Sequence, residues 1–180
     1  MKVFVTGVAG QLGHDVMNEL ASRGYTGVGT DLAESYSGIQ DGTYVTMAEY
    51  VSLDITNKSA VMNTIKAIKP DVVVHCAAWT AVDLAEDEDK QEKVKAINVD
   101  GTQNIAAACK VIDAKMVYIS TDYVFDGQGT TPWQPDCKDY KPLNVYGETK
   151  LGGELAVSNT LLFVLRGYLE RTGITLLRQC

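Results

Sequence analysis

Histidine is nearly absent from this chain of 180 residues: His14 and His75 are the two it has. Their number and separation give no ligand set for a metal centre, so none is expected. The four cysteines (Cys76, Cys109, Cys137 and Cys180) form no C-x-x-C pair and no dense framework, which suits reduced thiols in a cytoplasmic protein. Basic charge is also in deficit. A net charge of -7 offers no cationic stripe to nucleic acid and nothing to draw the chain to an anionic membrane. No apolar run approaches a bilayer span, because the longest, Val72 to Trp79, is short and holds His75. The start Met1-Lys2-Val3-Phe4-Val5 has the flavour of a signal peptide, but Gly7, Gly10 and Gln11 interrupt it too early. What remains is a soluble chain able to bury one core.

The N-terminus carries the first positive signal. Lys2 to Thr6 is a short apolar, β-branched run that reads as a buried strand. Gly7, Gly10 and Gly13 follow as G-x-x-G-x-x-G, and Gln11 to Arg23 then reads as a helix with Leu12, Val16, Met17 and Leu20 on one side. Glycines between a strand and a helix let backbone N–H groups approach a pyrophosphate at the positive helix end. A second strand, Thr26 to Thr30, ends at Asp31, at about the spacing expected for an acid that binds adenosine ribose hydroxyls. Strand, glycines, helix and acid together point to a nicotinamide dinucleotide. A carboxylate at Asp31 disfavours the extra phosphate of NADPH, and Lys and Arg are missing from Thr30 to Val51. The cofactor expected is NADH or NADPH, tilted toward NADH.

The second signal is Tyr146-Gly147-Glu148-Thr149-Lys150. Four residues apart on a helix, the phenol and the ammonium share one face. A phenol has a pKa near ~10, and a fixed cation beside it is expected to lower that value. The pair could then exchange a proton with a carbonyl or an alcohol near neutral pH.

Between these motifs, strand and helix patterns alternate. Tyr50 to Leu53, Asp71 to His75 and Lys115 to Ser120 read as strands, and Asn57 to Ile68, Glu86 to Lys110 and Val145 to about Val157 as helices. Repeated βα units predict an α/β fold of the Rossmann type, a doubly wound parallel sheet covered on both faces. Gly7, Asp31, Asp54, Ala77 and Thr121 all fall at carboxyl ends of strands, where such sheets bind their ligands.

On Thr6-Gly7-x-x-Gly10-x-x-Gly13, Asp54-Ile55, Ala77-Ala78, Asn98, Ser120-Thr121 and Tyr146-x-x-x-Lys150, the chain resembles the extended short-chain dehydrogenase/reductase family. Longer strings resemble, within it, the dTDP-4-dehydrorhamnose reductases: Gly10-Gln11-Leu12-Gly13, Ala77 to Asp83, Ser120 to Gly127 and Pro142 to Glu154. The resemblance implies hydride delivery from NADH or NADPH to C4 of a dTDP-bound 4-keto-6-deoxy sugar. It makes Tyr146 the proton donor, Lys150 the holder of the nicotinamide ribose and Thr121 a hydrogen-bond donor to the same oxygen. Gly7, Gly10, Gln11, Leu12, Gly13 and Asp31 would hold the cofactor, with Asp54 and Ile55 flanking the adenine and Ala77 and Ala78 letting the backbone lie close to the cofactor. Thr80, Val82, Thr121, Tyr123 and Tyr146 match positions that meet the sugar, and Asn98 is expected to order the core. Two other assignments stand beside this one. One is a non-catalytic nucleotide-binding regulator resembling the methionine adenosyltransferase beta subunit; the other is a different nucleotide-sugar reductase or epimerase.

The C-terminus departs from the family pattern. Those reductases continue with a strand and loop of the type F-I-V-R-x-x-W-V-F-G and then a substrate lobe, whereas this chain reads Leu161 to Cys180. Back-translating Tyr168 to Cys180 and stepping back one base permits V-F-G-K-N-G-N-N-F. The division expected is therefore a dinucleotide-binding domain over 1–160 and a frameshifted tail over 161–180, with the lobe missing and activity impaired. Leu161 to Leu165 stays apolar enough for a sixth strand. Apolar surface left uncovered by the lobe predicts a homodimer or larger self-association.

Overall fold

The computed structural model describes residues 1–128, 133–134, 137–157, 162–165, 167–170 and 173–176, the last three stretches as backbone only. Strand β1 (Lys2–Thr6) leads into helix α1 (Gln11–Ser22), then β2 (Thr26–Asp31), β3 (Glu49–Ser52), α2 (Lys58–Ile68) and β4 (Val72–His75). A helical run follows as α3 (Glu88–Lys95), a π-helical turn (Ala96–Gly101) and α4 (Thr102–Ile112). Strand β5 (Lys115–Ile119), helix α5 (Val145–Val157) and strand β6 (Leu162–Leu165) complete the alternation. The sheet is parallel, in the order β3-β2-β1-β4-β5-β6. The expected sixth strand is present beside β5. Beyond it, β7 (Gly167–Glu170) and β8 (Gly173–Leu176) pair antiparallel as a separate two-stranded sheet.

Strand order reverses between β1 and β4, and this opens a crevice at the carboxyl edge. Both faces of the sheet are covered, as the continuous apolar strands require. Val3, Val5 and Val8 pack with Met17 of α1 and Val45 on one face. On the other, Phe4, Val28, Val73, Met116 and Tyr118 meet Val61 and Ile65 of α2 and Ile105 and Cys109 of α4. Alternate residues of one strand thus serve opposite cores, which is the period of two that a pleated strand imposes.

Helix ends follow local chemistry. The Asn57 side chain accepts a hydrogen bond from the Ala60 N–H at 3.0 Å, capping α2, and Lys69 in the left-handed region stops it ahead of Pro70. Asn57→Ala is expected to cost about 1 kcal/mol, readable as a lower urea midpoint at unchanged slope.

One element differs in kind from its sequence reading. Glu86 to Lys110 reads as one regular helix, but the run is widened at Ala96–Gly101. The reason is side-chain bonding. Asn98 accepts from the Trp79 N–H at 2.8 Å and donates to the Trp79 carbonyl and to Thr149 Oγ1, while its own carbonyl accepts from Thr102 Oγ1. Asn98 therefore joins the loop after β4 to α5, in keeping with the ordering role expected of it. No helix among the described residues is long and apolar enough to cross a membrane.

Candidate active site

At the crevice lies a cavity of about 730 Å³. Its floor is the turn between β1 and α1. Gly7 has φ +73°, and a Cβ there would stand 2.6 Å from the Ala77 nitrogen. Gly13 sits against the same turn, where a Cβ would lie 2.2 Å from the Gly7 carbonyl oxygen. Both glycines are therefore required by close backbone approach, not by flexibility. Gly10, Gln11 and Leu12 line the cavity beside them. These positions bring the N-terminal end of α1 to the cavity wall, a donor set suited to a pyrophosphate.

Asp31 ends β2 at the adjoining wall. Its carboxylate accepts from the Ala9 N–H at 3.0 Å and the Leu32 N–H at 2.8 Å, so its charge is fixed in place with lone pairs left for hydroxyl donors. Asp54, Ile55, Ala77, Ala78 and Thr80 line further parts of the wall. Beneath them runs a buried polar chain. The Ala77 N–H donates to Thr6 Oγ1, which lies 2.8 Å from His75 Nδ1, and His75 Nε2 lies 3.1 Å from Thr102 Oγ1. Because the Thr102 hydroxyl donates to the Asn98 carbonyl, Nε2 must carry the proton for every group to be satisfied. Burial, aided by the charge of Lys150, drives the His75 pKa down to about 3.

Thr121, Tyr146 and Lys150 meet at the opposite wall. Thr121 follows β5, whereas Tyr146 and Lys150 stand one turn apart on α5. Gly147 allows this approach, since a Cβ there would come within 2.3 Å of the Tyr123 carbonyl oxygen. Lys150 is 4% exposed. Its Nζ donates to the Ile119 carbonyl at 2.5 Å and lies 4.2 Å from the centre of the Tyr118 ring. Burial lowers its pKa to about 7, against the opposing influence of Cys76 and Glu154.

The phenol departs from the expectation that a nearby cation lowers its pKa. Burial raises the pKa of Tyr146, a hydrogen bond from Thr121 pulls it down, and Asp122 and Tyr123 raise it further. Desolvation outweighs the cation because the Lys150 ammonium is turned to the Ile119 carbonyl.

Of the residues expected at the site, Val82 and Tyr123 do not line the cavity; the others do. Val82 lies in the loop ahead of a short 3-10 turn. Tyr123 is 45% exposed at the rim, its ring edge-on to Tyr146 at 5.6 Å. The structure adds Cys76, Lys93, Ile119 and Ser120 to the lining. Ser120 was visible as the neighbour of Thr121, but nothing in the spacing marks Cys76 or Lys93.

This geometry has relatives. The dTDP-4-dehydrorhamnose reductase of Streptomyces griseus is 38% identical over 168 residues, 93% of this chain and 48% of that protein. The crystal structure of dTDP-4-dehydrorhamnose reductase from Bacillus anthracis in complex with NADP superposes with a TM-score of 0.72 at 35% identity, covering 92% of this chain and 52% of that one. Methionine adenosyltransferase 2 subunit beta of Pongo abelii is 33% identical over 156 residues, 87% of this chain and 42% of that protein. The chain thus spans about half the length of the curated relatives it matches. The sequence model of the RmlD substrate binding domain matches residues 1–172. By fold, by site and by that match across nearly its whole length, the chain belongs to the RmlD substrate binding domain family.

Proposed function

We propose that this chain is the dinucleotide-binding part of an NAD(P)H-dependent reductase that converts dTDP-4-dehydro-L-rhamnose to dTDP-L-rhamnose. The observation that carries the reading is the meeting of Thr121, Tyr146 and Lys150 across one cavity from a glycine turn too tight for any side chain. The names of the relatives, and the NADP bound in the Bacillus anthracis structure, agree with it. The residues present fit a dinucleotide: backbone donors at the end of α1, a fixed carboxylate at Asp31 and the glycine cradle.

A bound nicotinamide would supply the hydride. The chain's own groups handle the rest. Tyr146 passes its phenolic proton to the oxygen at C4 as that oxygen gains charge. Thr121, whose hydroxyl donates to Asp122 Oδ1 and lies within reach of the phenol, would turn its one proton to the same oxygen and stabilise the charge. Lys150 would hold the nicotinamide ribose. Thr80, at the cavity wall, and Tyr123, edge-on to Tyr146, would meet the sugar. Oxidation of NADH on addition of dTDP-4-dehydro-L-rhamnose tests the reading. Tyr146→Phe is expected to slow it by about 10² to 10⁴-fold; oxidation at the same rate in Tyr146→Phe would overturn the assignment.

Asp31 sets the cofactor preference in this reading. Its fixed carboxylate repels a 2′-phosphate, and the segment from Thr30 to Val51 has no Lys or Arg to offset it. NADH is expected to bind about tenfold tighter than NADPH. Asp31→Asn keeps an acceptor for the Ala9 N–H and should narrow that ratio. Equal affinity of the wild-type chain for both would contradict the role given to Asp31.

The frameshifted reading of residues 161–180, with self-association of the chain as its consequence, is likewise a proposal. Support comes from the codon reconstruction and from exposed apolar groups such as Leu143. Resequencing the source DNA tests the first, and sedimentation the second.

A further inference from the structure

The charged side chains that line the cavity are Asp31, Asp54, Lys93 and Lys150. A dinucleotide and a sugar nucleotide both bring a diphosphate into it, and the chain already has a net charge of -7. The glycine turn answers that charge with backbone N–H groups, which are dipoles and not cations. Lys150 is poorly placed to add to them. It is buried, and its Nζ is committed to the Ile119 carbonyl. Lys93 is the cation that remains on the wall.

Lys93 stands on the cavity face of its helical run. Lys93, Ala96 and Ile97 line the cavity together, at the i, i+3 and i+4 spacing that puts side chains on one helix face. Its helical neighbours leave the ammonium unpaired. Ala96 and Ile97 carry no charge, and the carboxylate of Asp89, four residues earlier, is taken by Lys90. Among the described residues no carboxylate forms an ion pair with Lys93. Its contact is an aromatic ring instead: Nζ lies 5.9 Å from the centre of the Trp79 ring, within cation–π range. Trp79 is a fixed platform. Its backbone N–H donates to Asn98 Oδ1 at 2.8 Å, its carbonyl accepts from Asn98 Nδ2 at 3.2 Å, and its indole N–H donates to the Ala81 carbonyl at 3.0 Å. Thr80, next in the chain, is itself on the cavity wall. The ring therefore steadies the ammonium beside the cavity and leaves its N–H donors for a ligand. An unpaired ammonium on the wall of a cavity that also holds a glycine turn has the chemistry of a phosphate contact.

We propose that Lys93 binds the diphosphate of a ligand in this cavity, supplying the positive charge that the glycine turn lacks. The ligand class is a diphosphate ester, and it has two sources, the dinucleotide and the sugar nucleotide. The inference rests on the reading of the cavity as a nucleotide site, and it adds to that site a residue that none of its sequence motifs contains.

The test titrates NADH, dTDP and inorganic pyrophosphate separately into the full chain. Affinity is read by calorimetry, and the Lys93 side chain is followed by ¹³C at lysine Cε, with Lys93→Met identifying its signal. At least one of the three ligands should move that signal saturably. Lys93→Met keeps an apolar stem against Trp79 and removes the charge. It should weaken the same ligand about tenfold and make its binding less sensitive to salt. Lys93→Arg should recover most of the affinity. Lys95→Met, on the same helix but outside the cavity lining, should leave affinity unchanged. A loss confined to NADH assigns the contact to the cofactor, and a loss confined to dTDP assigns it to the sugar nucleotide. Unchanged affinity of Lys93→Met for all three ligands would overturn the proposal, as would an equal loss in Lys95→Met. Should Lys93→Met not fold, the wild-type signal still decides, assigned through Lys93→Arg: a Lys93 resonance that none of the ligands moves contradicts the contact. A chain whose Lys93 signal responds to pyrophosphate but which binds no NADH contradicts the dinucleotide reading and leaves the diphosphate contact standing, so the two fail separately.

Discussion

Gly13→Ala is expected to lower NADH affinity at least ~100-fold and to destabilise the fold by about 3 kcal/mol. The added methyl would lie 2.2 Å from the Gly7 oxygen, 2.7 Å from the Gly7 carbonyl carbon and 2.8 Å from the Val8 Cα. All three are backbone atoms, so no side chain can swing aside. The Gly7 carbonyl is itself committed, accepting from the Gly10 N–H at 3.1 Å. Relief would require α1 to move away from β1, and the N–H groups that face the cavity would move with it. Gly10→Ala provides the contrast. Its Cβ would meet the Gly7 oxygen at 3.4 Å, an ordinary contact, and its cost in stability should be small. Urea unfolding and a fluorescence titration with NADH measure both variants. A Gly13→Ala chain with wild-type affinity would show that the turn does not hold the cofactor.

The second large effect is on stability at acid pH. His75 is held near 3 in the folded chain against an ordinary value of 6.5. Between those values the unfolded chain binds a proton that the folded chain refuses, so stability falls as pH drops from 6.5 toward 3. The loss contributed by this one group is on the order of a few kcal/mol. The physical cause is burial, aided by the charge of Lys150, in a site where the Thr6 and Thr102 hydroxyls satisfy a neutral ring on both sides. A second proton would place a donor at Nδ1 against the donor of Thr6. His75→Asn removes the titration and should flatten the acid limb of stability against pH, at some cost near neutrality from the lost stacking on Tyr118. Parallel limbs for the two proteins would assign the acid sensitivity elsewhere.

The elements best read from sequence were those whose cause is local. Lys2–Thr6 is a strand because its residues are apolar and β-branched, and Asn57 caps α2 because its side chain bonds three residues on. Cavity residues at strand ends were legible for a related reason, since alternating strands and helices fix where the carboxyl edge lies. What escaped depends on partners distant in sequence. The widening at Asn98 arises from bonds to Trp79 and Thr149, 19 and 51 residues away. The rise in the Tyr146 pKa arises from burial, which a spacing of four residues cannot reveal. Val82 and Tyr123 were placed by family pattern alone, and the cavity does not include them.

The central claim is that the crevice between β1 and β4 binds a nicotinamide dinucleotide. Titration of the chain with NADH, followed by fluorescence, addresses it most directly. The account predicts saturable binding, tighter than for NADPH and lost in Gly13→Ala. Absence of saturable binding by a chain that circular dichroism shows to be folded would contradict it.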